Sequence, residues 1–330
     1  MKPLVMNKFA GHDDQNLRLK IMNCWWPKHF FHTALVIGSA LIALKLTNKH
    51  YYWQLMRANK PVGIYLLLWP TLWGLLFAAK GLPPWNITLI FVLGVVVMRS
   101  AGCVINDFAD RKVDGAVART ENRPLPNGDV SAEEAKHLFV LLIMVAFILV
   151  LFLNFQTIML SVIALLLASI YPFMKRYTHL PQVILGAAFG WSIPMAFMAV
   201  TGALPSWVWL LYIANLCWTV AYDTQYAIVD RRYDLDIGIK STAILFGRFD
   251  VFMIVLLQLV SVGLLAWVFY INDLPVISYV GLLCVIALFV YQFVLCKNRE
   301  ESQCFAAFLH NNWVGMAVTV SIALGYFTGS

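Results

Sequence analysis

Charge is scarce in this chain. Asp, Glu, Lys and Arg make up 12% of its 330 residues, where a soluble domain carries about a quarter. Acids are the rarer sign, 17 against 24 bases. Hydrophobic residues reach 61%, and the mean hydropathy is +0.75. A soluble core of this size cannot hide so much apolar surface, so a soluble enzyme, a disordered chain and a fibrous protein are excluded. Cysteine is sparse too. The six, at 24, 103, 217, 284, 296 and 304, form no C-x-x-C pair and no Cys/His ligand spacing. That argues against a disulfide framework and a zinc site. The net charge of +7 falls on no basic face of a soluble domain, so no nucleic-acid partner is expected.

What the chain has in abundance is long apolar runs. A helix needs about 20 apolar residues to cross a bilayer, with a range near 17–25. Nine runs qualify once helix ends add a turn: Val62–Ala79, Ile87–Cys103, Leu138–Leu153, Ile158–Met174, Val183–Val200, Val208–Ala221, Val251–Ile271, Val276–Cys296 and Trp313–Phe327. They are continuous and lack the period-2 alternation of a membrane barrel. The expected fold is an all-α, nine-helix membrane bundle. Its 12 Trp, 13 Tyr and 22 Phe suit the bilayer interfaces, where aromatic rings gather.

The connections alternate in charge. Those after the even-numbered runs hold Arg111, Lys112, Arg119, Arg123, Lys136, Lys175, Arg176, Arg231, Arg232, Lys240, Arg248, Lys297 and Arg299. Those after the odd-numbered runs hold only Lys80. By the positive-inside rule the first set is cytoplasmic. Arg57 and Lys60 before the first run agree, so the N-terminus is expected inside and the C-terminus outside. Residues 1–50 read as an extension, with 33–46 an interfacial helix, and 51–330 as the membrane domain. Asp13 and Asp14 precede that short run and no A-x-A site follows, which is unlike a signal peptide.

The acids are concentrated. Two inner connections, about 107–137 and 222–250, hold 12 of the 17. The first opens Asn106-Asp107-Phe-Ala-Asp110-Arg-Lys-Val-Asp114, and Arg99 lies seven residues before Asn106. The second runs Tyr222-Asp223-Thr-Gln-Tyr226 and on to Asp230-Arg-Arg-Tyr-Asp234. Spacings of four and seven put the members of each set on one helical face. Single solvated acids would pair with neighbouring Lys and Arg and need no further account. Two matched sets at matched depth are different, because like charges held on one face repel. Divalent cations relieve that repulsion, and Mg²⁺ takes oxygen ligands while keeping substrate phosphates in its shell. Arg99, Arg111, Arg119, Arg123, Lys175, Arg176, Arg231 and Lys240 are the cations near enough in sequence to hold phosphate, with Arg119, Arg123, Lys175 and Arg176 favoured. Trp69, Trp73, Phe189, Trp191 and Phe197 are candidates to line a hydrocarbon tail.

These two motifs resemble the N-D-x-x-D-x-x-x-D and D-x-x-x-D signatures of the UbiA superfamily of intramembrane prenyltransferases. The resemblance covers about residues 51–330. It is more specific at Leu67-Leu-Trp-Pro-Thr-Leu-Trp73, Asn122-Arg-Pro-Leu-Pro126, Gly186-Ala-Ala-Phe-Gly-Trp-Ser-Ile-Pro194 and Ala221-Tyr-Asp-Thr-Gln-Tyr-Ala227, stretches similar to the bacterial 4-hydroxybenzoate polyprenyltransferases. Tyr233 and Asp236 depart from that pattern, and the 50-residue extension is unusual for it.

The resemblance implies a polyprenyl diphosphate donor, 4-hydroxybenzoate as acceptor and Mg²⁺ as cofactor, at a membrane-embedded site. Asp107, Asp110, Asp114, Asp230 and Asp234 are then the metal ligands and catalytic acids. Asn106, Arg111, Arg119, Arg123, Lys175 and Lys240 become diphosphate ligands, and Arg176, Asp223, Tyr226 and Arg99 face the aromatic acceptor. Expected partners are the two substrates and membrane lipids, in a bacterial inner membrane with the site facing the cytoplasm. Homogentisate, a naphthoate or haem are the other acceptors of this class. A secondary transporter is the rival of a different class, but its acids would sit near the midplane, whereas these lie at helix ends.

Overall fold

The computed structural model describes Gly38, Leu44, residues 46–111 and residues 123–328. The expected interfacial helix at 33–46 therefore falls almost wholly outside the described residues, and so do Asp114 and Arg119. The described part is helical throughout. A 3₁₀ turn at Leu46–Asn48 leads into α1 (Lys49–Leu55), then α2 (Val62–Ala79), α3 (Trp85–Asp110), α4 (Ala132–Val150), α5 (Phe155–Met174), α6 (Pro181–Gly190), α7 (Ser192–Thr201), α8 (Val208–Asp236), α9 (Thr242–Phe246), α10 (Asp250–Ile271), α11 (Val276–Cys296) and α12 (Glu301–Thr328).

Seven helical stretches among the described residues are long and apolar enough to cross a membrane. Two more helices occupy expected runs but are more polar. The first turns of α4 carry Glu133, Glu134 and Lys136. The membrane half of α8 buries Asn215, Thr219, Thr224 and Gln225. The run 183–200 does not fold as one straight helix. It breaks at Trp191 into α6 and α7, where Pro194 has no N–H to return to the Gly190 carbonyl. The Trp191 indole bridges out instead, donating to the Leu160 carbonyl at 2.9 Å.

Two helices overrun their apolar parts. α3 has 26 residues and α8 has 29. At 1.5 Å per residue they are roughly 39 and 44 Å long, against a hydrocarbon core of about 30 Å. The excess lies at one end of each, and those overhanging turns bear the two acidic motifs.

The centre of the bundle is aromatic. Trp73, Phe77, Trp218 and Phe269 are buried together. The Trp73 and Trp218 rings lie 5.2 Å apart and Trp218 meets Tyr222 edge-on at 5.3 Å. Trp73 and Phe197 thus serve packing, Trp69 donates to Asn312 at 3.0 Å, and Trp191 sits against Trp209 and Tyr212. Of the five aromatics proposed for a tail, Phe189 is the one that lines a cavity. Phe252, Trp267 and Leu283 are among many large apolar side chains turned outward, as a lipid-facing surface requires.

Polar side chains lock the helices where a sequence reading foresees only hydrocarbon. Gln225 of α8 donates to Gln292 of α11 at 3.0 Å, and Gln258 of α10 donates to the same oxygen at 2.9 Å. Asn311 of α12 donates to Gln225 at 2.8 Å and accepts from the Trp218 indole at 2.9 Å. Four helices are pinned by this cluster, one residue before Tyr226 and two after Asp223. Asn311→Leu orphans both the Trp218 N–H and the Gln225 carbonyl oxygen. It is expected to cost about 2 kcal/mol, read as a thermal midpoint lowered by several degrees in detergent. An unchanged midpoint would show that the cluster does not hold the helices.

Candidate active site

A cavity of about 1550 Å³ opens among α2, α3, α4, α5 and α8. At its inner end it is lined by Asn106 and Asp107 from the first motif, by Asp223 and Tyr226 from the helix of the second, and by Arg99 and Tyr171. Away from that end the lining turns to hydrocarbon, with Phe91, Val95, Met144, Phe147 and Leu165 among it. The cavity therefore has a charged head and an apolar body, the shape of an amphiphile.

Helical continuation places the first motif. Because α3 does not stop at the membrane boundary, Asn106, Asp107 and Asp110 stay in helical register on its last turns. Asp107 is 1% exposed and Asp110 3%. A buried carboxylate must be countered by charge or it neutralises. Asp107 receives both its oxygens' bonds from Arg57, at 2.9 Å each, and another from Arg123 at 3.1 Å. Asp110 is bound by Lys175, from the connection after α5. Arg123 and Lys175, two of the expected phosphate cations, thus sit on the motif acids.

The other expected cations divide. Arg99 projects into the cavity, its Nη1 on the Cys103 sulfur at 2.7 Å while its buried Nε has no hydrogen-bond partner. It lies against Gly63, where an added Cβ would meet the guanidinium at 2.4 Å, and within charge range of Asp107 and Asp223. Arg176 is exposed and caps the Ala109 carbonyl at the end of α3. Arg111 folds onto its own turn, donating to the Phe108 carbonyl and lying 4.1 Å over that ring. Lys240 ties two loops, its amide on the Lys175 carbonyl at 2.9 Å and its ammonium on the Tyr177 carbonyl at 3.3 Å. Arg111, Arg176 and Lys240 are not among the lining residues.

The second motif follows the same rule. Asp230 and Asp234 are half-buried on the overhang of α8, beyond the cavity-lining Asp223, Tyr226 and Val229. Arg231, next to Asp230, is drawn off the motif to Asp250, which also accepts from Arg299 at 2.9 Å. Asp250 is fully buried, and its carboxylate holds the Arg299 guanidinium above its ordinary value.

Among the described residues no three His, Cys, Asp or Glu side chains converge closely enough to hold a metal ion. Asp114, the third acid of the first motif, is outside that set. The donor chemistry nevertheless fits a hard divalent cation: oxygen ligands only, in two sets, on the ends of two helices that both line the polar end of one apolar cavity.

A residue the sequence reading passed over is Arg57. It was counted only as a topological charge, yet it reaches the first motif across 50 positions. A polar stretch, Arg57-Ala-Asn-Lys60-Pro61, at the mouth of an apolar run was the available signal.

Residues 67–313 match the UbiA prenyltransferase family. The 4-hydroxybenzoate octaprenyltransferase of Pseudoalteromonas atlantica is 61% identical over 276 residues, covering 84% of this chain and 97% of that one. The enzyme of the same name from Cronobacter sakazakii is 58% identical, covering 83% and 95%. Among solved structures, a ligand-free UbiA homologue from Aeropyrum pernix superposes with a TM-score of 0.70 at 24% identity, over 81% of this chain and 97% of that chain. A UbiA homologue from Archaeoglobus fulgidus bound to GPP and Mg²⁺ gives 0.63 at 19% identity, over 83% and 99%. At those identities the structures speak to the fold, and the family rests on the sequence matches: the chain belongs to the UbiA prenyltransferase family.

Proposed function

We propose that this protein is a 4-hydroxybenzoate polyprenyltransferase, transferring a polyprenyl group from its diphosphate to C3 of the aromatic ring. The observation that carries this reading is the cavity with an acid- and arginine-lined head and a hydrocarbon body, in a chain about 60% identical over most of its length to enzymes of that name. Residues 51–330 form the prenyltransferase domain and 1–50 an extension. Nine membrane crossings, with the N-terminus and the site on the cytoplasmic side of a bacterial inner membrane and the C-terminus outside, follow from the thirteen-to-one distribution of basic residues.

Asp107, Asp110 and Asp114 on one side and Asp230 and Asp234 on the other are the residues that would hold Mg²⁺. When bound, the metal supplies Lewis-acid neutralisation of the leaving pyrophosphate. The chain's own groups do the rest. Arg123 and Lys175, with Asn106 and Arg119, provide positive charge and donors for the diphosphate, stabilising charge where it develops, and the flanking Arg111 and Lys240 add positive charge from outside the lining. The C–O bond of the donor breaks, pyrophosphate leaves, and C3 of the acceptor forms the new C–C bond, losing its ring proton. Arg99 holds the acceptor's carboxylate, with Arg176 as a further cation. Asp223 and Tyr226 orient the phenol. The apolar walls keep water from the allylic cation and seat the tail.

Three measurements test this. Purified protein with Mg²⁺, one polyprenyl diphosphate and a panel of aromatic acids is expected to prenylate 4-hydroxybenzoate; product on homogentisate or a naphthoate alone would reassign the acceptor, and no product at all would favour transport. Asp110→Ala and Asp230→Ala are each expected to lower kcat by about 10²–10³-fold at normal expression, and EDTA to abolish turnover. Near-wild-type activity in either variant sinks the two-motif reading. Arg99→Ala is expected to raise KM for 4-hydroxybenzoate by about ten- to hundredfold and leave that for the donor unchanged; the reverse pattern would move Arg99 to the diphosphate.

A further inference from the structure

The segment before α2 is built like a strap across the mouth of the site. Its outer end is tied down by a buried carboxylate, Glu134, 6% exposed. Glu134 accepts from the Tyr52 hydroxyl at 2.9 Å and the Asn48 amide at 3.1 Å. Its other oxygen takes the Ser131 N–H at 2.9 Å, completing the capping box that starts α4. Tyr52 and Leu55 bury the inner face of α1 against Val104, Leu125 and Val130. α1 then ends, and the chain turns through Arg57 in the left-handed region, φ +57°. A non-glycine residue is held there only when its surroundings impose it, and such strain gathers at functional sites. The turn is closed by the Arg57 amide on the Gln54 carbonyl and the Lys60 amide on the Arg57 carbonyl, each at 2.9 Å. Its product is a guanidinium whose Nη2 spans both oxygens of Asp107, and Gln54, Arg57, Asn59 and Lys60 all line the cavity.

A guanidinium binds carboxylate and phosphate oxygens alike. Neutralising Asp107 does not require Arg57 alone, since Arg123 already bonds the same carboxylate. We propose that Arg57, which the α1 strap places on Asp107, is a diphosphate-positioning residue for the prenyl donor. This rests on the reading of Asp107 as a metal ligand given above. If Asp107 holds the cation, its bond to Arg57 would loosen and leave the guanidinium beside the diphosphate. The strap holds Arg57 at the cavity, so the guanidinium would not be lost to solvent.

The test uses the full-length protein in detergent. Arg57→Gln and Arg57→Lys are compared with wild type by separate KM values for the polyprenyl diphosphate and 4-hydroxybenzoate, and by the thermal midpoint with and without inorganic pyrophosphate plus Mg²⁺. Arg57→Gln is expected to raise donor KM by about ten- to hundredfold, to leave acceptor KM unchanged and to lose the pyrophosphate-induced rise in midpoint. Arg57→Lys keeps the charge but not the guanidinium and is expected to fall between. Wild-type donor KM and pyrophosphate response in Arg57→Gln would overturn the proposal. So would a lowered ligand-free midpoint with both KM values moved together, the mark of a structural role. If Arg57→Gln does not accumulate, Arg57→Lys decides by the same two readouts. A wild type stabilised by pyrophosphate but inactive on 4-hydroxybenzoate would fail the acceptor reading, while the midpoints still decide Arg57.

Discussion

A carboxylate buried at the end of an apolar helix is the constraint on which this structure turns. Asp107 sits at 1% exposure, where an unpaired charge is expensive. The fold answers with cations brought from three separate places: Arg57 from the strap before α2, Arg123 from the turn before α4 and Lys175, on nearby Asp110, from the end of α5. Each contact adds a charged tie at the cavity mouth, beside the apolar packing of Leu55, Leu125 and Val130. The same charges that satisfy the acids are those a diphosphate can use.

The second requirement is length. A helix cut to the hydrocarbon thickness would end at Cys103 or Ala221 and leave the acids on loose chain. α3 and α8 run on, so intramembrane packing dictates where the motifs point. The amide cluster of Gln225, Gln258, Gln292 and Asn311 serves this on α8, setting its rotation just where Asp223 and Tyr226 face the cavity. On α10 the buried Asp250 takes up Arg231.

Much of this was legible in the residues, and what was not has physical reasons. Apolar runs gave the helices because hydropathy over about twenty residues has few other solutions in a bilayer. Acids at spacings of four and seven gave the shared faces because that arithmetic survives any tertiary context. The break at Trp191 was not foreseen, since Pro194 alone leaves a membrane helix free to continue, as α2 continues past Pro70. The destinations of Arg111, Arg176 and Lys240 were not legible either: a long cationic side chain chooses between ligand, carbonyl and ring by distances of a few ångströms. Arg57 was missed for the same reason, its partner being 50 residues away. The amide cluster was invisible because Gln258 and Gln292 are single polar residues in hydrophobic runs, and nothing in the sequence pairs them with Gln225 and Asn311.

The two inner loops are not independent. Lys240, just past the second motif, bonds the backbone of Lys175 and Tyr177, and Lys175 in turn grips Asp110 of the first. Ser241 then starts α9, and Thr242 bonds Gln182 of α6 and Thr224 of α8. The two motifs are thus tied through Lys240 and Lys175, and substitutions at the two ends of that tie are expected not to add independently.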